Sequence, residues 1–390
     1  MSIFKSYDIR GIFPQELSEK IAYLVGQNFV KKTKSKKIAV GYDARLSSPL
    51  LFKFLSRGII SQGSNVYNLG LAPTELMYFC VNHYNFDSGI MITASHNPKE
   101  YNGFKMVQKR KKQVQIIRGE MMKDLKELKE KKKGKIIKFN PYKDFLKYLS
   151  AYTNKSIGKK IVVDAGNGVA GIALKKLKLD IIPLNFEPNG NFPQRSPNPL
   201  DKNALLPIKK KIIKEKADYG FLFDGDGDRI FLVDKRGKMI SPDVCFLHLA
   251  KKFLEKKPSA IVFEVFTSRA VPEFIKKWQG KPIKSRVGVV NIREKMIKNK
   301  AVLGGETSGH YCYRDNGFFD SGLISFLTLL QIINEEKLIK LPYFKTPLIN
   351  LKIKKKEELI EKLKKRYKNE EQDFLDGIAV YSKKWWFCAR

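Results

Sequence analysis

The chain has 390 residues, 43% of them hydrophobic and 12% aromatic, so it can bury several domain cores and is not a disordered polymer. Its 75 Lys+Arg against 39 Asp+Glu give a formal +36, but the lysines are spread along polar helix faces with no aromatic-interleaved basic module, which argues against a nucleic-acid partner. Four scattered cysteines exclude a disulfide scaffold and a CxxC metal knuckle, and the N-terminus carries charge at once with no apolar signal region; a cytoplasmic protein is expected.

In chain order, residues 16–32 read as a helix, 37–42 as a strand, 49–61 as a helix and NVYNLG (65–70) as a strand. A helix over 74–84 and a strand over 88–93 follow, then the loop TASHNPKEYNG, the strand FKMV and a charged helix over 116–131. The pattern restarts with a strand at 159–166, a helix to 177, a strand in DIIPLNF, a helix over 203–216 and a strand at 218–224. It restarts again with a helix from 242, the strand SAIVFEV, a helix over 268–278, the strand PIKSRV, and helices over 292–299 and 320–335. The stretch 322–333 is the longest apolar run, too short for the roughly 20 residues of a membrane span, so no membrane partner is expected. From about 342 the pattern changes to a strand near 348–353, a lysine-glutamate helix, and the strands GIAVYS and WWFCA.

This alternation predicts α/β architecture: three successive α/β mixed-sheet domains, 1–140, 141–240 and 241–341, plus an incomplete α+β C-terminal domain, 342–390.

Three polar, glycine-rich loops interrupt apolar strand ends, where ligands sit in open α/β sheets. In TASHNP (93–98), Ser95 beside His96 becomes a nucleophile if a base or a metal lowers its pKa; the plain alternative is a strand-to-turn cap. In DGDGDR (224–229), Asp224, Asp226 and Asp228 can turn three carboxylates onto one hard cation; the plain alternative is an exposed acidic turn. An EF-hand is excluded, because its sixth position is Arg229 and its twelfth Lys235. Mg²⁺ fits better, with substrate or phosphate as a further ligand and Arg229 on a phosphoryl oxygen. In GGETSGH (304–310), Glu306, Ser308 and His310 alternate on one side and suit sugar hydroxyls, or else form a hairpin turn with an incidental histidine.

A fourth loop competes. GNGVAG (166–171) matches GxGxxG between a strand and a helix, and Glu187 lies 21 residues after Gly166. An NAD-dependent oxidoreductase is therefore the rival reading, although it leaves DGDGDR and TASHNP without a role.

TASHNP, DGDGDR and GExSGH in this order resemble the α-D-phosphohexomutase superfamily, most closely its phosphomannomutase/phosphoglucomutase members. YDIRG (7–11), GYDARLSSP (41–49), YNGFK (101–105), DAGNGVAG (164–171) and FTSRAVPE (266–273) resemble the family at matching places, and the likeness covers nearly the whole chain. It implies reversible phosphoryl transfer between the 1- and 6-positions of a mannose or glucose phosphate, through a phosphorylated Ser95 and a hexose 1,6-bisphosphate that also serves as activator. Mg²⁺ would lie on Asp224, Asp226, Asp228 and the Ser95 phosphate. Arg10, Arg229 and Lys105 would supply charge, with Lys105 or His96 exchanging the proton. Glu306 and Ser308 would hold sugar hydroxyls, with His310, Tyr7 and Arg269 as further substrate contacts, in a monomer or homodimer.

Two departures stand out. Val289 occupies a position where similar proteins often carry histidine. The family's C-terminal phosphate-binding loop is not found, with Arg390 at its first position. The chain therefore reads as truncated, and a mutase that binds sugar phosphate without turning it over is a further alternative.

Overall fold

The computed structural model describes residues 3–111, 113–131, 133–153, 158–346 and 348–390. The alternating strands and helices sort into two units, the first 240 residues with 319–336, and residues 241–318 with 337–390.

The first unit holds two sheets. In the larger, the strands run in the order Ile9–Ile12, Tyr101–Arg110, Ser88–Ile92, Lys37–Tyr42, Asn65–Leu71, Ile136–Lys138, and Gln113–Ile117 also pairs with Tyr101–Arg110. The inner strands are parallel, but Tyr101–Arg110 runs antiparallel to Ser88–Ile92 and Ile9–Ile12, so the sheet is mixed. Side chains alternate faces along a strand. Ile90 and Ile92 join the core under helices Glu19–Thr33 and Ser48–Ile60, while Gly89 faces Met77 of Thr74–His83 on the other side. Ser18 starts Glu19–Thr33 by accepting from Ile21 N at 3.3 Å, and Lys34 ends it in the left-handed region. That helix and Ser48–Ile60 touch backbone to backbone, since a Cβ on Gly58 would lie 2.0 Å from Tyr23 O.

The smaller sheet runs Ile230–Asp234, Tyr219–Phe223, Ile161–Asp164, Ile182–Leu184. Leu222 faces Ile208 and Ile212 of helix Leu206–Glu215. Phe221 and Phe223, on the opposite face, meet the ring of Phe326 in helix Gly322–Glu335. That helix follows the third block in the chain but packs on this second sheet.

The second unit holds the sheet Lys281–Ser285, Ala260–Glu264, Leu303–Gly305, Tyr311–Tyr313, and an antiparallel sheet Glu371–Asp373, Ile378–Tyr381, Trp386–Ala389 beside helix Lys356–Arg366. Lys284 ties the two together, donating to Asp373 Oδ2 at 2.7 Å and to the Tyr381 hydroxyl at 2.9 Å.

Two expected elements are different. The charged stretch 116–131 is the end of a strand, the 3₁₀ turn Gly119–Met122 and an extended strap rather than a helix. Ile117, Met122 and Leu125 pack on the core of the larger sheet from this irregular path, and Gln27 supplies hydrogen bonds to the strap, donating to Leu128 O at 3.0 Å and accepting from Leu128 N at 2.9 Å. Residues 348–353 form no strand, and Leu348, Ile349 and Leu351 are exposed.

Candidate active site

Two loops of the first unit meet. The loop after strand Ser88–Ile92 carries Ser95, and the turn between Tyr219–Phe223 and Ile230–Asp234 carries the three aspartates. The Ser95 hydroxyl donates to Asp224 Oδ2 at 2.7 Å, across 129 residues of sequence, and lies 3.2 Å from His96 Nδ1. Ser95 is buried and sits in the left-handed region at φ +52°, a conformation that costs a non-glycine residue of order 1–3 kcal/mol and persists where the surroundings over-determine it.

Asp224, Asp226 and Asp228 are all buried, and one oxygen from each lies within 4.8 Å of the others. Gly227, at φ +79°, turns the chain tightly enough to aim them inward, and its N–H donates to Asp224 Oδ1 at 3.1 Å. Lys105, on strand Tyr101–Arg110, donates to Asp226 Oδ2 at 2.7 Å and to Asp228 Oδ2. Burial pulls the Lys105 pKa down, but Asp226 and Asp228 outweigh it and hold the ammonium well above its usual range. Arg229 Nε lies 3.7 Å from Asp224 Oδ2. Two cations thus face three carboxylates. Burial, then Asp228 and Asp226, push Asp224 up to about 8. Asp226 Oδ1 is buried with no hydrogen-bond partner. An unsatisfied buried acceptor is costly, and a divalent cation on these hard oxygens would relieve both the desolvation and the repulsion. The residues fit such an ion.

Arg10 completes this side. Its Nη1 donates to Asn97 Oδ1 at 2.6 Å and its Nη2 to Asp8 Oδ2 at 2.5 Å, while Nε is buried without a partner. Burial alone would lower its pKa; Asp8, with help from Asp226 and Asp228, raises it instead. Tyr7 is half-buried and immediately precedes Asp8 in the chain.

In the second unit GETSGH is a tight hairpin, with Glu306 N donating to His310 O at 3.0 Å. Glu306 accepts from Gly288 N at 2.5 Å and from the Ser308 hydroxyl at 3.1 Å. A carboxylate has about four lone-pair positions, so it retains capacity for sugar hydroxyls. Buried Glu264 braces the turn from below, taking the Thr307 hydroxyl at 2.7 Å and Phe266 N at 2.6 Å. Arg269 faces the tail, donating to Ser382 O at 2.7 Å, with Glu273 and the Tyr343 ring beside it. Val289 opens helix Val289–Asn299 and packs on the apolar core of its block.

The glycines of GNGVAG are filled by protein. A Cβ on Gly166 would lie 2.5 Å from an Arg195 nitrogen, on Gly168 2.5 Å from Gly225 O, and on Gly171 2.4 Å from Phe186 O. These glycines admit the chain's own atoms and not a pyrophosphate. Glu187 is exposed and pairs with Lys175.

Comparison with known proteins identifies the family. Residues 1–131, 140–237 and 241–342 match the alpha/beta/alpha domains I, II and III of phosphoglucomutase/phosphomannomutase. The chain belongs to this family, within the α-D-phosphohexomutase superfamily. It is 34% identical to a phosphomannomutase of Methanocaldococcus jannaschii over all of this chain and 91% of that one. It is 33% identical to a phosphomannomutase/phosphoglucomutase of Pseudomonas aeruginosa over all of this chain and 89% of that one. A crystal structure of a family protein from Burkholderia thailandensis, 29% identical, superposes with a TM-score of 0.87 over 98% of this chain and 88% of that one. The protein is a phosphohexomutase, an isomerase that works by intramolecular phosphoryl transfer, and the oxidoreductase alternative has no support.

Three residues that no sequence motif singled out pack against these loops. Thr74 donates to Asp226 Oδ2 at 2.6 Å through its hydroxyl and to Asp226 O at 3.1 Å through its N–H. Glu75, fully buried beside it, accepts from the Ser321 hydroxyl and from Leu323 N at 3.2 Å. Burial, and the charges of Asp320 and Asp228, push Glu75 up to about 8 against the pull of those two hydrogen bonds. Arg45, also buried, lies within the chain that supports Ser95. Apart from Asp43, two residues from Arg45, the side-chain hydrogen-bond partners of Arg45 and Glu75 are 50 to 248 residues away, which no local pattern marks.

Proposed function

We propose that this mutase interconverts the 1- and 6-phosphates of mannose or glucose through a phosphate carried on Ser95, with Mg²⁺ bound by Asp224, Asp226, Asp228 and an oxygen of that phosphate. The observation that carries the proposal is the 2.7 Å contact from the Ser95 hydroxyl to the acidic trio. The metal would neutralise charge on the transferring phosphoryl group.

The chain's own residues do the rest. A sugar hydroxyl attacks phosphorus, a new O–P bond forms, and the bond from phosphorus to Ser95 Oγ breaks. The hydroxyl proton ends on Ser95 Oγ. His96, 3.2 Å from that oxygen, exchanges the proton, whereas Lys105 is held as an ammonium by two carboxylates and acts as fixed positive charge. The product, a hexose 1,6-bisphosphate, turns over and returns its other phosphate to Ser95. Arg229 and Arg10 would take phosphoryl oxygens, as bidentate guanidinium donors suit. Glu306, Ser308 and His310 would read the sugar hydroxyls, and Tyr7 and Arg269 would act at the edge of recognition.

The test is direct. With Mg²⁺ and a trace of glucose 1,6-bisphosphate, the purified chain should convert mannose 1-phosphate or glucose 1-phosphate to the 6-phosphate, and EDTA should abolish the reaction until Mg²⁺ is returned. Conversion of neither sugar, or restoration by Zn²⁺ and not Mg²⁺, would reject the proposal. Among the described residues no helix is long and apolar enough to cross a membrane.

A further inference from the structure

We propose that Arg45 is a positioning residue for phosphoryl transfer: it grips the main chain around Ser95 and so fixes where the seryl oxygen sits over the acidic loop. This rests on the reading of Ser95 as the phosphate carrier.

All five N–H donors of the guanidinium are engaged. Nε donates to Asp43 Oδ2 at 3.1 Å. Nη2 donates to Ser95 O at 2.9 Å and Asn97 O at 2.6 Å. Nη1 donates to Pro98 O at 2.5 Å and Tyr101 O at 2.8 Å. Four of the five bonds therefore converge on one short loop. Asp43 anchors the other side of it, because its Oδ2 also takes the Thr93 hydroxyl at 2.7 Å, and Thr93 Oγ1 in turn accepts Ser95 N at 2.8 Å. The N–H and the C=O of Ser95 are thus both tied to the Asp43–Arg45 pair, and this holds the residue at positive φ. The same grip reaches Arg10: Arg45 holds the Asn97 carbonyl while the Asn97 side chain takes Arg10 Nη1.

The pair is sealed from water. Both side chains are 0% exposed, the Phe192 ring lies 5.5 Å from the guanidinium, and Gly190 lets its loop close over the turn, where a Cβ would come within 2.4 Å of Ala44 O. Ser95 must present its oxygen in the same place when phosphate leaves for one hydroxyl and when it returns from another. In-line transfer is sensitive to that placement, since about 1 Å of error costs roughly 100-fold in rate. Lysine, with three donors on a point charge, cannot span the four carbonyls.

The experiment uses the full chain with Mg²⁺ and glucose 1,6-bisphosphate labelled with ³²P. For Arg45→Lys, kcat should fall by roughly 100-fold while KM for mannose 1-phosphate stays within about threefold. Ser95 should still take label, and that label should pass to water about 10-fold faster than in the wild type, because a loosely aimed phosphate loses its acceptor. Asp43→Asn, which keeps the side-chain volume, should show the same split at roughly a tenth of the size, and it serves where the lysine variant does not fold. Wild-type kcat and label retention in Arg45→Lys would overturn the proposal, as would a loss of kcat that matches the loss of folded protein. A wild-type chain that takes no label on Ser95 overturns the underlying reading as well, so the two failures are distinguishable.

Discussion

Two glycine-rich loops leave neighbouring parallel strands of the same sheet, and they do opposite work. The loop after Ile161–Asp164 has the sequence of a nucleotide site, yet its carboxylate is paired and its glycines are filled by the protein itself, and the one buried acceptor it leaves unpaired, Asn167 Oδ1, belongs to a neutral amide with no like charge beside it. Asp164 takes Gly166 N at 2.7 Å, Asn185 at 3.0 Å and the Arg195 Nε at 2.7 Å, and its glycines admit Arg195, Gly225 and Phe186. The loop after Tyr219–Phe223 leaves Asp226 Oδ1 buried and unpaired, and Asp224 pushed up to about 8 by burial, then by Asp228 and Asp226. A buried polar group that is satisfied explains itself as structure; one left unsatisfied among like charges points to a ligand. Glycine spacing alone does not separate the two cases.

The largest effect should come from the unsatisfied loop. Asp226→Asn should lower kcat by roughly 1,000-fold or more, since it removes a charge from the phosphoryl-transfer centre while leaving the fold in place. Steady-state rates at saturating Mg²⁺ check this, and an unchanged rate would make the acidic loop structural. The loop whose carboxylate is paired should respond in stability instead. Arg195→Met leaves Asp164 buried without its cation and should cost about 3–5 kcal/mol in denaturant melts, with the remaining folded protein still turning over.

Glu75 sharpens the contrast through pH. Its folded pKa, about 8, lies above its ordinary value of 4.5, so the folded protein holds a proton that the unfolded chain releases between those limits. The stability tied to this group is present in full below about 4.5 and is lost as pH rises towards 8. Relative to Glu75→Gln, the wild type should lose up to about 1.4 kcal/mol per pH unit in that window, read from urea melts at several pH values. Parallel stability curves would show that Glu75 is ionised on both sides of unfolding. The smallest effect belongs to Glu187→Ala. Its ion pair with Lys175 is exposed, so neither stability nor turnover should change measurably, whereas a dinucleotide enzyme would lose cofactor affinity.

The alternation of strands and helices was legible because each element carries its own period, and the acidic loop was legible because three carboxylates at alternate positions of a glycine-permitted turn repel one another unless cations face them. What sequence could not reveal was set by distant partners. The stretch 116–131 has helix-favouring residues, but Gln27 and Asn28 of another helix offer its backbone hydrogen bonds in an extended form. Residues 348–353 alternate as a strand does, yet the three strands of the tail pair with one another, and a strand without a neighbour has no ladder to hold it. Arg45, Thr74 and Glu75 gain their roles only when the chain brings residues 95–101, 226 and 321–323 to them. GNGVAG misled for the same reason, as its glycines are explained by Arg195 and Gly225, which lie well beyond the motif in the chain.

The central claim is that Ser95 and the acidic loop form one phosphoryl-transfer centre. It is tested most directly by incubating the chain with glucose 1,6-bisphosphate and Mg²⁺ and mapping the modified peptide by mass spectrometry. The account predicts a single phosphate on Ser95, discharged when excess mannose 1-phosphate is added and absent from the Asp226→Asn variant. Phosphate on another residue, or a Ser95→Ala variant that turns over at the wild-type rate, would contradict it.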